Sequence, residues 1–196
     1  MFQVRIHGRG GQGVVTAAEV LSVAAFTQGR QAQAFPSFGS ERMGAPVVSF
    51  CRMDDRPIRT REPVMEPDAL IVQDVSLIHQ VDLFAGLSTE GYVLLNTSRS
   101  FGTLGLDSLR DRFRGDRLLT CPATEFALEH LGRPLPNAAL LGAFSALTGE
   151  VSLESVETAI RLHYPGAVGD RNTAAAAAAH RSVTQDIRMQ DHVASD

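Results

Sequence analysis

Residues 2–19 read FQVRIHGRGGQGVVTAAE, and they contain the signals for the first strand, a glycine-rich loop and the first helix. The apolar pattern at 2–7 is typical of a strand, and a glycine-rich loop follows at 8–13. The alanine- and valine-rich segment 14–28 predicts a helix, and Gly29 is placed to end it. A strand, a glycine loop and a helix in this order form the opening of an α/β unit.

The rest of the chain continues the α/β pattern and becomes helical in its last third. Further strands are predicted at 31–35, 47–53, 58–61, 68–74, 92–96 and 117–121. Turn residues at 54–57 predict that 47–53 and 58–61 form an antiparallel hairpin, and the continuous apolar run at 68–74 is typical of a buried parallel strand. Helices are predicted at 123–131, 138–147 and 153–162, and from about Asn172 through an alanine run to about Met189, after which the chain is expected to fray.

These elements predict one α/β domain over residues 1–196, without a linker or an internal repeat. We expect three layers, with a mainly parallel sheet, one antiparallel hairpin and helices on both faces of the sheet.

Composition and charge narrow the function classes. A formal net charge of −4 argues against a nucleic-acid partner held mainly by charge. No apolar run approaches the roughly 18 residues of a membrane span, and the N-terminus lacks the pattern of a signal peptide. Cys51 and Cys121 are too few for a disulfide framework or a four-ligand metal site. We therefore expect a cytoplasmic protein that contacts neither nucleic acid nor membrane.

The basic residues exclude two kinds of chemistry. All 18 are arginine, so a Walker-type phosphate loop lacks its lysine and a Schiff-base mechanism lacks its amine. Arginine-rich codon usage in a GC-rich genome is the simplest explanation of this bias. The six histidines have no metal-ligand spacing, and we predict no metal site in this chain.

The glycine loop allows three interpretations. Gly8, Gly10 and Gly13 match the dinucleotide-binding spacing, but no carboxylate follows near 31–37 to hold a ribose. The glycines could also serve only a tight turn between strand and helix. In the third interpretation, which we prefer, exposed amides together with Arg9 and Gln12 meet an anionic or polar group of a substrate or partner subunit.

Two long motifs carry a resemblance to a known family. GRGGQGVVTAAE at 8–19 and AFPSFGSERMGAPV at 34–47 closely resemble the gamma subunit of 2-oxoacid:acceptor oxidoreductases, the pyruvate/2-oxoglutarate ferredoxin oxidoreductase superfamily. The resemblance continues through Pro67-Asp68, Asn96 and Asn137 with its LLG sequence at 140–142, and more weakly through Asn172. It spans nearly the whole chain.

This resemblance implies a subunit that is not catalytic alone. Alpha, beta and delta-type partners would hold thiamine diphosphate, Mg and 4Fe-4S clusters, and some relatives add FAD. The implied reaction is oxidative decarboxylation of a 2-oxoacid with coenzyme A to an acyl-CoA. Electrons would pass to ferredoxin or, through a flavoprotein, to NAD. Pyruvate, 2-oxoglutarate and phenylglyoxylate all stay open as substrates.

The resemblance and the loop composition together select two loops as candidates for coenzyme A or substrate access, or for the subunit interface. Both would lie at the carboxyl ends of the strands, where open α/β sheets bind ligands. Outside this motif, an adjacent glutamate and arginine would be read as a solvated ion pair. The candidate residues are Gly8, Arg9, Gly10, Gly11, Gln12, Gly13, Pro36, Ser37, Phe38, Gly39, Ser40, Glu41, Arg42, Gly44, Ala45 and Pro46.

Other polar residues have simpler expected roles. His7 could donate to a phosphate, but a satisfied, partly buried histidine is the expected role, and both cysteines are expected in the core. Asn137 and Asn172 are predicted to be helix N-caps. An arginine cluster around the predicted hairpin fits coenzyme A phosphates, partner carboxylates or a solvated face: Arg52, Arg56, Arg59 and Arg61. An independent NAD or coenzyme A binding module and a purely structural adaptor remain alternative functions.

Overall fold

The computed structural model describes residues 1–37 and 43–194, which form a six-stranded sheet flanked by helices. The strands are β1 Phe2–Arg9, β2 Gln31–Pro36, β3 Pro46–Asp54, β4 Ala69–Val72, β5 Tyr92–Asn96 and β6 Leu118–Cys121. The helices are α1 Val14–Thr27, α2 Leu109–Arg112, α3 Ala123–Leu131, α4 Asn137–Thr148, α5 Leu153–His163 and α6 Ala167–Ala194. Short 3-10 turns lie at Val75–His79 and Gly115–Arg117.

The sheet has the order β2-β3-β1-β4-β5-β6, and only β3 runs against the other strands. β1 pairs in parallel with β4, Ile6 opposite Ile71, and β5 and β6 continue in the same direction. On the other side β1 pairs antiparallel with β3, Val4 opposite Cys51. The expected mainly parallel α/β sheet with an antiparallel element is therefore confirmed.

The predicted hairpin partner of β3 is wrong. β3 pairs antiparallel with β2, Ala34 opposite Cys51, and residues 58–61 form no strand. Both edges of β3 are already occupied by β1 and β2, so no backbone groups remain to pair with 58–61. The chain is instead held just after that segment by Arg52, whose Nη2 donates to the Glu62 carbonyl oxygen at 2.5 Å.

The two faces of the sheet are covered differently. The five longer helices, α1 and α3–α6, form one continuous core with apolar strand residues such as Ile6, Ile71 and Leu94. On the opposite face, β4–β6 are covered by the short helices and turns at 75–91 and 97–113, through residues such as Leu77 and Phe101. The expected three layers are present. The layer on this second face consists of the four-residue α2, 3-10 turns and loops, because its apolar clusters are too short for long helices.

Helix α4 is the centre of the helical layer. Ten of its residues are buried, as expected of a helix that is apolar on all sides and enclosed by its neighbours. A Cβ at Gly142 would overlap the carbonyl oxygen of Ala176 in α6, so only glycine allows the two helices to approach this closely. The alanine run is therefore a close-packing surface, as its composition predicts.

Helix α6 is longer than predicted at both ends. It begins at Ala167, not near Asn172, and it continues to Ala194, beyond Met189, where fraying is expected. Gly169 in its first turn packs against the Tyr164 carbonyl oxygen, a contact that only a glycine permits. Because glycine favours a loop in the sequence, this first turn was not predicted as helix.

Candidate functional site

The structure brings the two predicted loops together at the carboxyl end of β1. The Gly10 amide donates to the Ala45 carbonyl at 2.9 Å, and the Gly44 amide donates to the Gly10 carbonyl at 3.1 Å. Pro36 ends β2, Pro46 begins β3, and the Ser37 amide donates to the Val48 carbonyl at 2.9 Å. The predicted site residues Phe38, Gly39, Ser40, Glu41 and Arg42 lie outside the described residues.

Arg9 and Gln12 brace the glycine loop from within the chain. Arg9 donates through Nε to Asp74 at 3.0 Å, through Nη1 to the Gly44 carbonyl at 2.9 Å and through Nη2 to Ser76 at 2.7 Å. Gln12 accepts from the Arg9 amide at 2.7 Å and donates to Asp74 at 3.1 Å. These hydrogen bonds hold the loop in shape, and contact of the two side chains with an external group stays a prediction.

Asp74 is the residue of this site that the sequence analysis missed. Burial alone would raise the pKa of Asp74, but hydrogen bonds from Ser76 and Gln12 and the Arg9 charge outweigh burial and lower it. The carboxylate therefore stays ionised and fixes both loop side chains. Its position two residues after the parallel strand β4, at the same sheet edge as the glycine loop, was the available signal.

The loop encloses one side of a cavity of about 310 Å³. Its lining residues are Arg9, Gly10, Gly11, Gly13, Val14, Val15 and Val47. Among the described residues, the amides of Gly11 and Gly13 have no hydrogen-bond acceptor, and no side chain caps α1. Free amides at the start of a helix create a positive potential, so this cavity is suited to an anionic group such as a phosphate.

The strand order argues against a dinucleotide-binding site of the Rossmann type. In that fold the strand after the first helix pairs in parallel with the first strand. Here β3 lies between β1 and β2 and is antiparallel to both. The second strand is therefore not positioned to place a ribose-binding carboxylate beside the glycine loop.

The two predicted asparagine caps are corrected by the structure. Asn137 is the first residue of α4, Pro136 precedes it, and no side chain of the described ranges caps this helix. A Cβ at Gly13 would lie 2.5 Å from the side-chain amide nitrogen Nδ2 of Asn137, so α4 begins against the glycine loop. Asn172 lies inside α6 and donates to the Val168 carbonyl at 2.8 Å, because the helix begins one turn earlier than predicted.

His7 is partly buried on the strand that leads into the glycine loop. Its Nε2 is enclosed and has no hydrogen-bond partner among residues 1–37 and 43–194, so the expectation of a satisfied histidine is wrong. Burial lowers the pKa of His7 to about 4, and the neighbouring Arg5 charge adds to this shift. The imidazole is therefore neutral at pH 7 and unsuited to contribute charge to an anion site.

We expect this buried histidine to make the protein less stable in mild acid. Between pH 6.5 and about 4 the unfolded chain binds a proton at His7 that the folded chain does not. The free energy of unfolding should therefore fall as the pH decreases through this window, by up to about 3 kcal/mol. Urea unfolding at several pH values measures the slope, which His7→Gln should reduce and the exposed His79→Gln should leave unchanged. An unaltered slope in His7→Gln would contradict the expectation.

The cysteines and Arg52 are structural. Cys51 and Cys121 are both buried, and burial raises the pKa of each thiol to about 12. Both therefore stay protonated in the core, as expected. Arg52 is only 2% exposed and donates to Gln3 and Glu62, so it does not belong to the exposed group of Arg56, Arg59 and Arg61.

The described part of the chain lacks two features. No group of three or more histidine, cysteine, aspartate or glutamate side chains there could hold a metal ion. No helix there combines the length and the apolar character that crossing a bilayer requires.

Comparison with known proteins gives matches along nearly the whole chain. Residues 3–182 match the family model described as pyruvate ferredoxin/flavodoxin oxidoreductase. The pyruvate synthase subunit PorC of Methanothermobacter marburgensis is 46% identical over 93% of this chain and 98% of that protein. The common gamma subunit of the pyruvate/ketoisovalerate oxidoreductases of Pyrococcus abyssi is 48% identical over 90% of this chain and 94% of that protein. The crystal structure of pyruvate oxidoreductase subunit PORC from Thermotoga maritima has a TM-score of 0.77 at 34% identity, covering 92% of this chain and 95% of that one.

Proposed function

Since the chain belongs to the pyruvate ferredoxin/flavodoxin oxidoreductase family, we propose that it is the gamma subunit of a multi-subunit, ferredoxin-linked 2-oxoacid oxidoreductase. The observation that carries this proposal is the likeness to subunits named PorC or gamma, which extends over nine-tenths or more of both chains. Pyruvate and a branched-chain 2-oxoacid are the first substrates to test, because those relatives are named for them. We further propose that the complex is cytoplasmic.

The reaction that we propose for the complex converts a 2-oxoacid and coenzyme A into an acyl-CoA and carbon dioxide, and it releases two electrons and a proton. Thiamine diphosphate and magnesium would supply the decarboxylation chemistry, and 4Fe-4S clusters would carry the electrons. We assign all of these to the partner subunits. For the clusters the reason is that Fe–S ligation needs thiolates, and the two thiols of this chain are buried and protonated.

We assign the glycine-loop cavity to the phosphates of coenzyme A. The free amides of Gly11 and Gly13 and the start of α1 suit a phosphate, as in other glycine loops that precede helices. The second loop, from Pro36 to Pro46, is tied to the first by the hydrogen bonds of Gly10 and would complete the same access route. In this role the chain shapes the path by which coenzyme A reaches the thiamine-bearing subunits.

A leucine at Gly11 tests this assignment in the assembled complex. Gly11 lines the cavity and has φ +92°, so Gly11→Leu should strain the loop and place a bulky side chain at the cavity wall, while the 88% exposed Met43 can move aside. We expect the KM for coenzyme A to rise about tenfold or more while the subunits still assemble, since a displaced amide loses a charge-assisted hydrogen bond. Steady-state kinetics at varied coenzyme A, with ferredoxin as acceptor, measures the effect.

Gly29→Leu is the matched control for backbone strain. Gly29 also has positive φ, +84°, but nothing lies within 4 Å of its Cβ position. It should leave the KM for coenzyme A unchanged. If Gly11→Leu assembles with unchanged turnover and coenzyme A dependence, the loops do not form the access route, and the chain would be a structural adaptor. Saturable binding of NAD by the isolated chain would instead favour an independent nucleotide-binding module.

A further inference from the structure

We propose that a second cavity, formed by the α3–α4 turn and the beginning of α6, binds a small organic carboxylate with an apolar body. This cavity, called here the α4 pocket, has a volume of about 310 Å³ and is lined by residues of 131–137, Tyr164 and 168–172. It shares no lining residue with the glycine-loop cavity. The proposal concerns a ligand other than coenzyme A and stands apart from the proposed function.

The charge of the α4 pocket is the first reason for this proposal. Arg133 and Arg171, both exposed, line it, and none of its described lining residues carries a carboxylate. Neither guanidinium forms an ion pair with any described residue. The neighbouring Asp170 lies 3.7 Å from Arg161 and is engaged there. The pocket thus holds two positive charges that the described chain does not neutralise, which favours an anion.

Polar groups inside the pocket are the second reason. Asn137 lines the pocket and is only 9% exposed. A side-chain amide on a pocket wall can donate a hydrogen bond to a carboxylate, so Asn137 adds a neutral donor beside the two guanidinium groups. It stands at the uncapped start of α4, where backbone amides also favour negative charge. Burial raises the pKa of Tyr164, and the Glu19 charge adds to this, so its hydroxyl stays a donor at neutral pH.

The remaining wall is apolar and decides the shape of the ligand. Leu131, Leu135 and Val168 line the pocket, and the last two are 36% and 56% exposed. An apolar wall beside convergent donors is the common composition of a small-molecule site. Since water occupies about 30 Å³ per molecule in the liquid, the cavity has room for a ligand of roughly ten heavy atoms. A branched aliphatic or aromatic carboxylate meets both requirements.

Binding of 4-methylpentanoate to the purified full chain tests the proposal, with 4-methylpentanamide as the uncharged analogue of the same shape. We expect saturable binding of the carboxylate by calorimetry or chemical-shift titration, and binding of the amide at least about tenfold weaker. Arg133→Gln and Arg171→Gln should each weaken carboxylate binding about tenfold, because each removes a charge-assisted hydrogen bond. The exposed Arg56→Gln, outside the pocket, should leave it unchanged.

A second variant tests the apolar wall independently. Val168→Glu places a carboxylate at the pocket wall, on an exposed helical position where folding should tolerate it, and it should abolish binding of 4-methylpentanoate. Equal affinity for the carboxylate and the amide, or wild-type affinity in a variant that carries both Arg133→Gln and Arg171→Gln, would overturn the proposal. Binding by the free chain that disappears in the assembled complex would also overturn it, because the pocket would then be a subunit interface.

Discussion

Replacing Gly142 with alanine is expected to destabilise the protein by about 3 kcal/mol or more, although alanine is the better helix former. Helix propensity alone predicts a gain of about 1 kcal/mol. The new methyl group, however, would overlap the Ala176 carbonyl oxygen, a backbone atom that no rotamer change can move. Helices α4 and α6 would have to separate, which opens the packing around the buried Ala175 and Ala179. Urea unfolding of both proteins measures the difference.

Two comparisons isolate the cause of this effect. Ala174→Gly, at an exposed position of α6, calibrates the helix propensity and should cost about 1 kcal/mol. Ala176→Gly should not rescue Gly142→Ala, because the obstacle is the carbonyl group of residue 176 and not its side chain. A Gly142→Ala protein as stable as wild type, or more stable, would show that the two helices are not in close contact.

Replacing Gly13 with alanine is expected to cost about 3 kcal/mol, the second large effect. Gly13 has φ +73°, where a non-glycine residue is strained by about 1–2 kcal/mol. The added Cβ would also lie 2.5 Å from the side-chain amide nitrogen Nδ2 of Asn137, at the point where α1 and α4 both begin. Thermal or urea unfolding measures the loss.

The contact with Asn137 can be separated from the backbone strain. Gly149 has φ +67° with nothing within 4 Å of its Cβ position, so Gly149→Ala should show the strain alone, about 1 kcal/mol. In a double-mutant cycle, Asn137→Ala should recover part of the loss in Gly13→Ala, because the Asn137 obstacle is a side chain. Additive losses in the double variant would mean that Gly13 is required for its conformation only.

The strand and helix positions were largely predictable because they depend on local patterns. Apolar runs bounded by turn residues predict β1, the glycine loop with α1, and the buried strands β4 and β5. The partner of β3 was not predictable in this way, since pairing depends on which edge is free in the assembled sheet. The beginning of α6 was missed because glycine in its first turn favours a loop locally, while the close contact with Tyr164 requires it.

The candidate site was predictable in place but not in detail. Glycine spacing located the loop, and strand polarity located the edge at which it lies. The internal partners of Arg9 and Gln12 were not predictable, because Asp74 and Ser76 are more than sixty residues away in sequence. The contact between Asn137 and the glycine loop likewise becomes visible only when α4 is placed against that loop.

The position of β1 inside the sheet has a consequence for biosynthesis. Its residues pair on one side with 46–53 and on the other with 69–72, so its edges stay open until the chain has grown that far. At the usual elongation rate of about 5–20 residues per second, the ribosome exposes this apolar strand for several seconds. Val4 and Ile6 are then accessible to aggregation or to chaperones. Newly made subunit should therefore depend on chaperone protection at its amino terminus before it can join its complex.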